Sequence, residues 1–411
     1  MNYGFFRRAI IISLTRFAAL SLALADMIML GHQSNYAVHA YTVASQIIQI
    51  FVILSVALSI GINIVIGRSR KDRGEKIRNT VQYSCFLSCI LFASSLLGTF
   101  LVLADRSATA SYLILSISIL PLCLYVGFSS ILETVGLEKK VLYVTLLASA
   151  LNITLNYWLI YSIVDSALAV SISTLLVRTI ALLAAIILMK YSGLSIKPLY
   201  SKPVSWNLFQ LGRPEALMSI LFTGGISLLV LQVSRVYSVD STAFFGISLN
   251  FMNTFSVVFV GIAVSLAIVL SQERQNLKGS LNLIKPSIIY ITAVSIILIY
   301  CSSFMTIVYT GSINADLALY LNLSVFVIAF HGIAGVFISA LRVNGHSQIP
   351  PFFMLTLIFV GIPMSFIIEI YSDPLANIII FMAIGNLLSV MLCLIYFIRV
   401  CVTPQKKMEQ L

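Results

Sequence analysis

Apolar runs long enough to cross a membrane recur along the whole chain, each closed by a short polar turn. A transmembrane helix needs about 20 mostly apolar residues. The pattern predicts an all-α integral membrane protein with twelve spans, at about 9–31, 37–67, 79–103, 109–132, 141–162, 166–189, 212–234, 242–271, 285–309, 317–341, 350–370 and 376–399.

The longest polar interruption, residues 190–208, falls near the midpoint and leaves six predicted spans on each side. The ends of two long spans, at 66–72 and 270–276, align at an offset of 204 residues, and each precedes a polar loop. Repeated halves with a site between or within them are typical of transporters. We predict an N-lobe at 1–189, a linker at 190–208, a C-lobe at 209–400 and a tail at 401–411.

The positive charges lie mostly in alternate loops. The opposite loops hold only Arg106 and Arg235, whereas the rest of the loop charge lies near the N-terminus, at 68–78, 139–140, 190–202, 274–285 and 342, and in the tail. Because positively charged loops stay on the cytoplasmic side, we expect a multi-pass protein of the inner (plasma) membrane with both termini in the cytoplasm.

Composition agrees with a membrane protein, since 60% of the residues are hydrophobic and only 9% are charged, against about 45–50% and 25% in soluble domains. The net charge of +11 is explained by the orienting loops and predicts no nucleic-acid partner. No loop could hold a soluble catalytic domain, and no glycine-rich phosphate loop is present. We therefore predict no enzyme activity, although an integral-membrane enzyme remains an alternative class.

The first apolar run contains two charges, Arg16 and Asp26. An ionisable side chain inside a span costs at least about 2.5–3.5 kcal/mol, so Asp26 is a candidate functional residue. Helix geometry puts the two residues about 15 Å and about 80° apart, so each needs partners on other helices or water. The competing interpretation is a signal peptide cleaved before Asp26, which an arginine inside the apolar run disfavours.

Two asparagines of the fifth span, Asn152 and Asn156, are four residues apart and share a helix face. Their amides can donate to a carboxylate, or can simply bridge helices. A lone carboxyl group in a low-dielectric site is suited to carry a proton at neutral pH.

Other polar residues in the spans leave two interpretations open. Arg178 lies near the middle of span six. Arg16 and Arg178 could bind an anionic cargo through the planar guanidinium, or could be a snorkelling and a structurally paired arginine, respectively. Five further residues either line a cavity or make structural hydrogen bonds, namely Gln46, Gln49, Asn250, Asn253 and His331. The cysteines lie in or beside apolar spans and predict no metal site.

Several stretches together resemble the multidrug and toxic compound extrusion (MATE) family, within the superfamily that also holds lipid-linked oligosaccharide flippases. They occur in the family's order and cover both halves of the chain, namely LADMIMLGHQSNYAVHAYTVA at 24–44, GLEKKVLYVTLLASALNITLNYWLI at 136–160, LGRPEALMSIL at 211–221, AFFGISLNFMNTF at 243–255 and LRVNGHSQIPPFF at 341–353.

The resemblance implies two six-helix lobes, V-shaped around a central cavity, and cation-coupled export. Asp26 matches the first-helix aspartate that binds the coupling proton or sodium in many prokaryotic members, and Asn152 matches the fifth-helix asparagine beside it. Asn156 stands where several members have a second aspartate. Leu221 or Phe222 stands where one branch has a seventh-helix glutamate, so coupling is expected in the first lobe.

We therefore predict a cation-coupled antiporter, with the proton as the coupling ion and sodium at Asp26 as the alternative. It would export a small organic compound by alternating access, as a monomer in contact with membrane lipid, without a cofactor. The alternative cargo is an anionic lipid-linked saccharide or anionic natural product bound by Arg16 and Arg178.

Overall fold

The computed structural model describes residues 23–67, 72–103, 105–163, 165–273, 280–343, 346 and 349–402, and these residues form helices and turns without strands. The helices are α1 (23–31), α2 (Asn35–Gly67), α3 (Arg73–Leu97), α4 (Arg106–Thr134), α5 (Glu138–Ser162), α6 (Ser166–Tyr191), α7 (Lys202–Val236), α8 (Val239–Glu273), α9 (Leu281–Thr310), α10 (Ala315–Val343), α11 (Ile362–Ser365) and α12 (Pro374–Val402), with short 3-10 turns at Gly98–Leu101 and Pro350–Leu355 and a π-helical turn at Leu357–Gly361.

Within the described ranges, nine helices are long and apolar enough to cross a membrane, judged by length and composition. Two shorter apolar helices, Ile220–Val236 and Phe352–Ser365, fall at the predicted seventh and eleventh spans. The first predicted span, 9–31, lies mostly outside the described residues. The all-helical class is confirmed, and the number of twelve spans stays a prediction.

Aspartates placed just before helices fix several helix starts. Asp105 accepts hydrogen bonds from the backbone N–H of Ser107, at 2.8 Å, and of Ala108 at the start of α4. Asp165 accepts from Leu168 N–H at 3.0 Å and so caps α6. Such caps satisfy the donors that a first helical turn leaves open.

The predicted linker 190–208 overlaps the start of α7, which begins at Lys202. Pro203 is compatible with this early start, since the first turn of a helix does not need its N–H. Leu208 is fully buried in an apolar cluster with Ile66 and Ile131. Packing of this first part of α7 therefore stabilises a helix in a segment whose sequence looks polar. The connection between α6 and α7 is limited to 192–201.

The predicted span 350–370 is not one regular helix in the structure. It consists of the 3-10 turn, the π-helical turn and α11, and it stops being helical at Phe366. Asn377 of α12 holds the following loop, because its amide donates to the carbonyls of Ser365 and Ile368 and accepts from Ile370 N–H, each at 2.8 Å. These bonds replace helical ones for a backbone that the apolar sequence alone does not distinguish from a helix.

The chain forms two compact units, a first unit at 25–246 and a second unit at 247–411 with 1–24. In the first unit, α2 packs against α4 and α7, and α6 packs against α4 and α5. In the second unit, α10 packs against α9 and α12, and the π-helical turn packs against α12. The division into an N-lobe and a C-lobe at the linker stays a prediction.

Two glycines bring the π-helical turn into backbone contact with α12. A Cβ added at Gly385 would lie 2.7 Å from the Cα of Leu357, and a Cβ at Gly361 would lie 2.6 Å from the carbonyl oxygen of Phe381. We expect Gly385→Ala to lower the free energy of unfolding by about 1–3 kcal/mol, since overpacking forces the backbones apart. The apparent melting temperature in detergent, followed by size-exclusion chromatography, measures this loss.

Gly335→Ala is the matched control, because its added Cβ would meet only the Cβ of Ala263, at an ordinary 3.8 Å. Alanine is also the better helix former of the two residues. An equal melting temperature for Gly385→Ala and the wild type would show that the close approach does not constrain the fold.

Candidate functional site

Asp26 is the centre of a buried polar cluster in the first unit, with only 4% of the residue exposed. Its Oδ1 accepts hydrogen bonds from the Nδ2 atoms of Asn152, at 2.6 Å, and Asn156, at 2.5 Å. Its Oδ2 accepts one from the Tyr41 hydroxyl at 2.9 Å. Donors from α2 and α5 thus satisfy both oxygens of a carboxylate on α1.

The register of α5 explains why two amides reach one oxygen. Asn152 and Asn156 are one helical turn apart and therefore point from the same face. Ser173 of α6 donates its hydroxyl to Asn152 Oδ1 at 3.1 Å, which leaves Asn152 Nδ2 free to face Asp26. Asn156 Oδ1 is buried and has no hydrogen-bond partner among the described residues. The structure brings the three predicted residues together, and their role in ion coupling stays a prediction.

Arg178 belongs to the same unit and is partly buried. Its Nη1 donates to the Ser118 hydroxyl of α4 at 2.6 Å. Its charge interacts electrostatically with Tyr41, Asp26 and Cys123. A guanidinium held in this way is compensated within the first unit, as a cation inside an apolar helix requires. Arg16, the other predicted arginine, lies outside the described residues.

The predicted glutamines lie on α2 of the first unit. Gln46 is mostly buried and Gln49 is partly exposed. The backbone carbonyl of Gln46 accepts a hydrogen bond from the Ser227 hydroxyl of α7 at 2.7 Å. This bond connects α2 to α7. In the described structure, neither glutamine makes a hydrogen bond to Asp26.

The remaining predicted residues lie in the second unit. Asn250 bridges helices there, since its Nδ2 donates to the Ala23 carbonyl at 2.9 Å and its Oδ1 accepts from the Tyr309 hydroxyl at 3.0 Å. Asn253 is exposed and His331 of α10 is partly buried. The contacts of Asn250 are those of a bridging residue, and substrate binding by these three residues stays a prediction.

Sequence reasoning missed the hydroxyl groups that complete the cluster. Tyr41 donates directly to Asp26, Ser173 orients Asn152, and Ser118 holds Arg178. The available signal was a tyrosine or serine inside an otherwise apolar span that also faces a candidate charged helix. This signal is weak, because hydroxyl groups in spans commonly bond to their own helix backbone.

The cluster can hold Asp26 in two protonation states. A hydrogen bond to an ionised group contributes about 1.5–3 kcal/mol, so three donors offset much of the cost of burying the carboxylate. The neutral acid needs an acceptor for its own proton. Asn156 Oδ1 is the acceptor within the cluster that is not already used, and rotation of this amide would present it to Asp26.

The family model described as MatE matches residues 12–158. One similar solved structure is an inward-facing multidrug resistance MATE family transporter of the MOP superfamily, with a TM-score of 0.82 and 16% identity over 93% of this chain and 94% of that chain. A second is the eukaryotic MATE transporter AtDTX14, with a TM-score of 0.71 and 15% identity over 97% of each chain. A third is a MATE in complex with MaL6, with a TM-score of 0.72 and 17% identity over 97% of this chain and 96% of that chain. No curated protein matches the chain by sequence. At these identities the similarity of the solved structures defines the fold.

Proposed function

Because the chain carries a MatE domain and has the fold of MATE family transporters, we propose that it is a proton-coupled antiporter. It exports a small organic compound across the inner membrane by alternating access, with both termini in the cytoplasm. MATE family members are transporters and not enzymes, so the chemistry that Asp26 would perform is the binding and release of an ion.

The observation that carries this proposal is the buried Asp26 carboxyl group with its donors on α2 and α5. A group that bonds to two other helices changes at least one of these bonds when its charge changes. Protonation therefore alters the packing of α1 against α5 in the first unit. A packed two-state element of this kind converts a local charge change into a larger movement.

In the proposed cycle, Asp26 takes up a proton from the outside and loses at least one of its accepted hydrogen bonds. The Asn156 amide rotates, and its Oδ1 accepts the new O–H of Asp26. Tyr41 keeps its donor directed at Oδ2 throughout, so it positions the carboxyl group in both states. Cargo leaves outward in the protonated state, and the proton leaves inward before the next cargo binds.

The competing proposal is an exporter or flippase of an anionic lipid-linked saccharide or natural product. It depends on Arg16 and Arg178 as ligands for phosphate or carboxylate. Arg178 already donates to Ser118 and interacts with the charge of Asp26. These contacts favour a role inside the first unit over one in binding cargo.

Growth of a drug-sensitive bacterium tests the proposed function. Cells expressing the wild type, Asp26→Asn or no transporter would be exposed to ethidium as a cation, chloramphenicol as a neutral compound and cholate as an anion. We expect the wild type to protect against at least one compound and the equally expressed variant to give no protection. Protection by Asp26→Asn equal to the wild type would contradict the proposal, and protection against cholate alone would support the anionic cargo.

A further inference from the structure

Arg178 occupies an unusual position for a charge, because it lies in the interior of the apolar helix α6, which runs from Ser166 to Tyr191. It is one helical turn beyond Thr174 and shares its face. Thr174 interacts with the Tyr41 hydroxyl, and Tyr41 donates to Asp26. The guanidinium therefore stands next to the Asp26 cluster along α6, about one turn farther into the helix.

The charges around Arg178 identify its counter-ion. Its electrostatic partners are Tyr41, Asp26 and Cys123, and Asp26 is the carboxylate of this set. With Asp26 ionised, Asp26 and Arg178 carry no net charge between them. With Asp26 protonated, one positive charge remains, and the Ser118 hydroxyl solvates it through the bond to Nη1.

With Arg178 charged, the residues around Asp26 do not fit a bound sodium ion. A hard cation needs several oxygen ligands directed at it. Here both carboxylate oxygens of Asp26 face N–H or O–H donors, and Asn152 Oδ1 accepts from Ser173. Asn156 Oδ1 is the one amide oxygen of the cluster left without a partner in the described structure. To bind there, a sodium ion would have to displace three hydrogen-bond donors, and the positive charge of Arg178 would repel it.

We infer that Arg178 determines the ion specificity of this transporter, by supplying to Asp26 the positive charge that a bound sodium ion would otherwise supply. A proton can still exchange, because it forms a covalent O–H bond and needs no ligand shell or added volume. This inference rests on the proposed function in one respect, since it takes Asp26 as the coupling group.

Equilibrium binding of radioactive sodium to the purified full-length protein in detergent tests the inference. At an effective dielectric constant of about 20, a unit charge changes the affinity for a cation by roughly tenfold or more at any separation up to about 10 Å. We therefore expect Arg178→Gln to bind sodium at least about tenfold more tightly than the wild type. Glutamine can keep the bond to Ser118, and Arg178→Lys, which keeps the charge, should remain as weak as the wild type.

The double variant Arg178→Gln with Asp26→Asn should lose the gained binding, which places the new site at Asp26. Equal sodium affinity in the wild type and in a monodisperse Arg178→Gln variant would overturn the inference. Binding that persists in the double variant would also overturn it. Sodium binding needs neither cargo nor a gradient, so the two tests are independent. Arg178→Gln can leave the sodium affinity unchanged while Asp26→Asn abolishes transport, and Arg178→Gln can raise the sodium affinity while Asp26→Asn still transports.

Discussion

Asp26→Asn is expected to abolish export driven by a proton gradient while leaving the fold intact. An amide has nearly the shape of the carboxyl group but cannot exchange a proton at any relevant pH. The substitution also removes the negative charge of the group that accepts three hydrogen bonds.

Everted membrane vesicles measure this effect as the uptake of ethidium, or of whichever compound the growth test selects, after an imposed pH gradient. Asp165→Asn is the matched control, because Asp165 caps α6 in the same unit and asparagine caps helices equally well. We expect wild-type uptake from Asp165→Asn and the background of empty vesicles from Asp26→Asn. Gradient-driven uptake by Asp26→Asn would remove this residue from the coupling mechanism.

Asn156→Ala is expected to impair transport far more than it impairs stability. The substitution removes a donor to the ionised Asp26 and also the acceptor that the proposed cycle requires for the protonated state. A hydrogen bond to a charged group contributes about 1.5–3 kcal/mol, so some loss of stability accompanies the change. Both protonation states lose a partner, and we expect uptake close to that of Asp26→Asn.

Asn386→Ala separates coupling from simple bridging of helices. Asn386 is 1% exposed and its Nδ2 donates to the Val327 carbonyl, so it connects α12 to α10 without touching Asp26. We expect a similar fall in apparent melting temperature for the two variants and retained uptake only for Asn386→Ala. If both variants lost uptake in proportion to their melting temperatures, Asn156 would be a bridging residue and no more.

The sequence predicted the part of the site that follows from helix register. Asp26 was conspicuous because a charge inside a span is costly, and Asn152 and Asn156 shared a face by their spacing. Tyr41 and Ser173 were missed because the approach of α2 and α6 to the cluster depends on packing between helices. The pattern of apolar residues along the chain does not show which helix faces pack against each other.

The same limit explains where the helices differ from the apolar pattern. The start of α7 contains Lys202 and Pro203, yet Leu208 packs in an apolar cluster and buries this part of the helix. The segment 350–365 is as apolar as a regular helix, but the contact between Gly385 and Leu357 is accommodated by a π-helical turn. In both places tertiary packing overrides the local pattern.

Asparagines were the most ambiguous residues, because amides that bind a ligand and amides that join helices look alike in a sequence. Asn250 was predicted to do either, and in the structure both of its amide atoms bond within the second unit. Asn152 is also bonded at both ends, but one of its partners is a carboxylate that can change charge. In the proposed mechanism, the identity of the partner therefore distinguishes an amide that takes part in coupling from one that only joins helices.

Proton release on cargo binding tests the central claim most directly. Ethidium, chloramphenicol and cholate would each be added to the purified protein in weakly buffered detergent solution with a pH indicator. Because linked binding is reciprocal, cargo that competes with the proton should displace up to about one proton per wild-type molecule and none from Asp26→Asn. Equal release from both proteins, or no release from wild-type protein that binds the compound, would contradict coupling through Asp26.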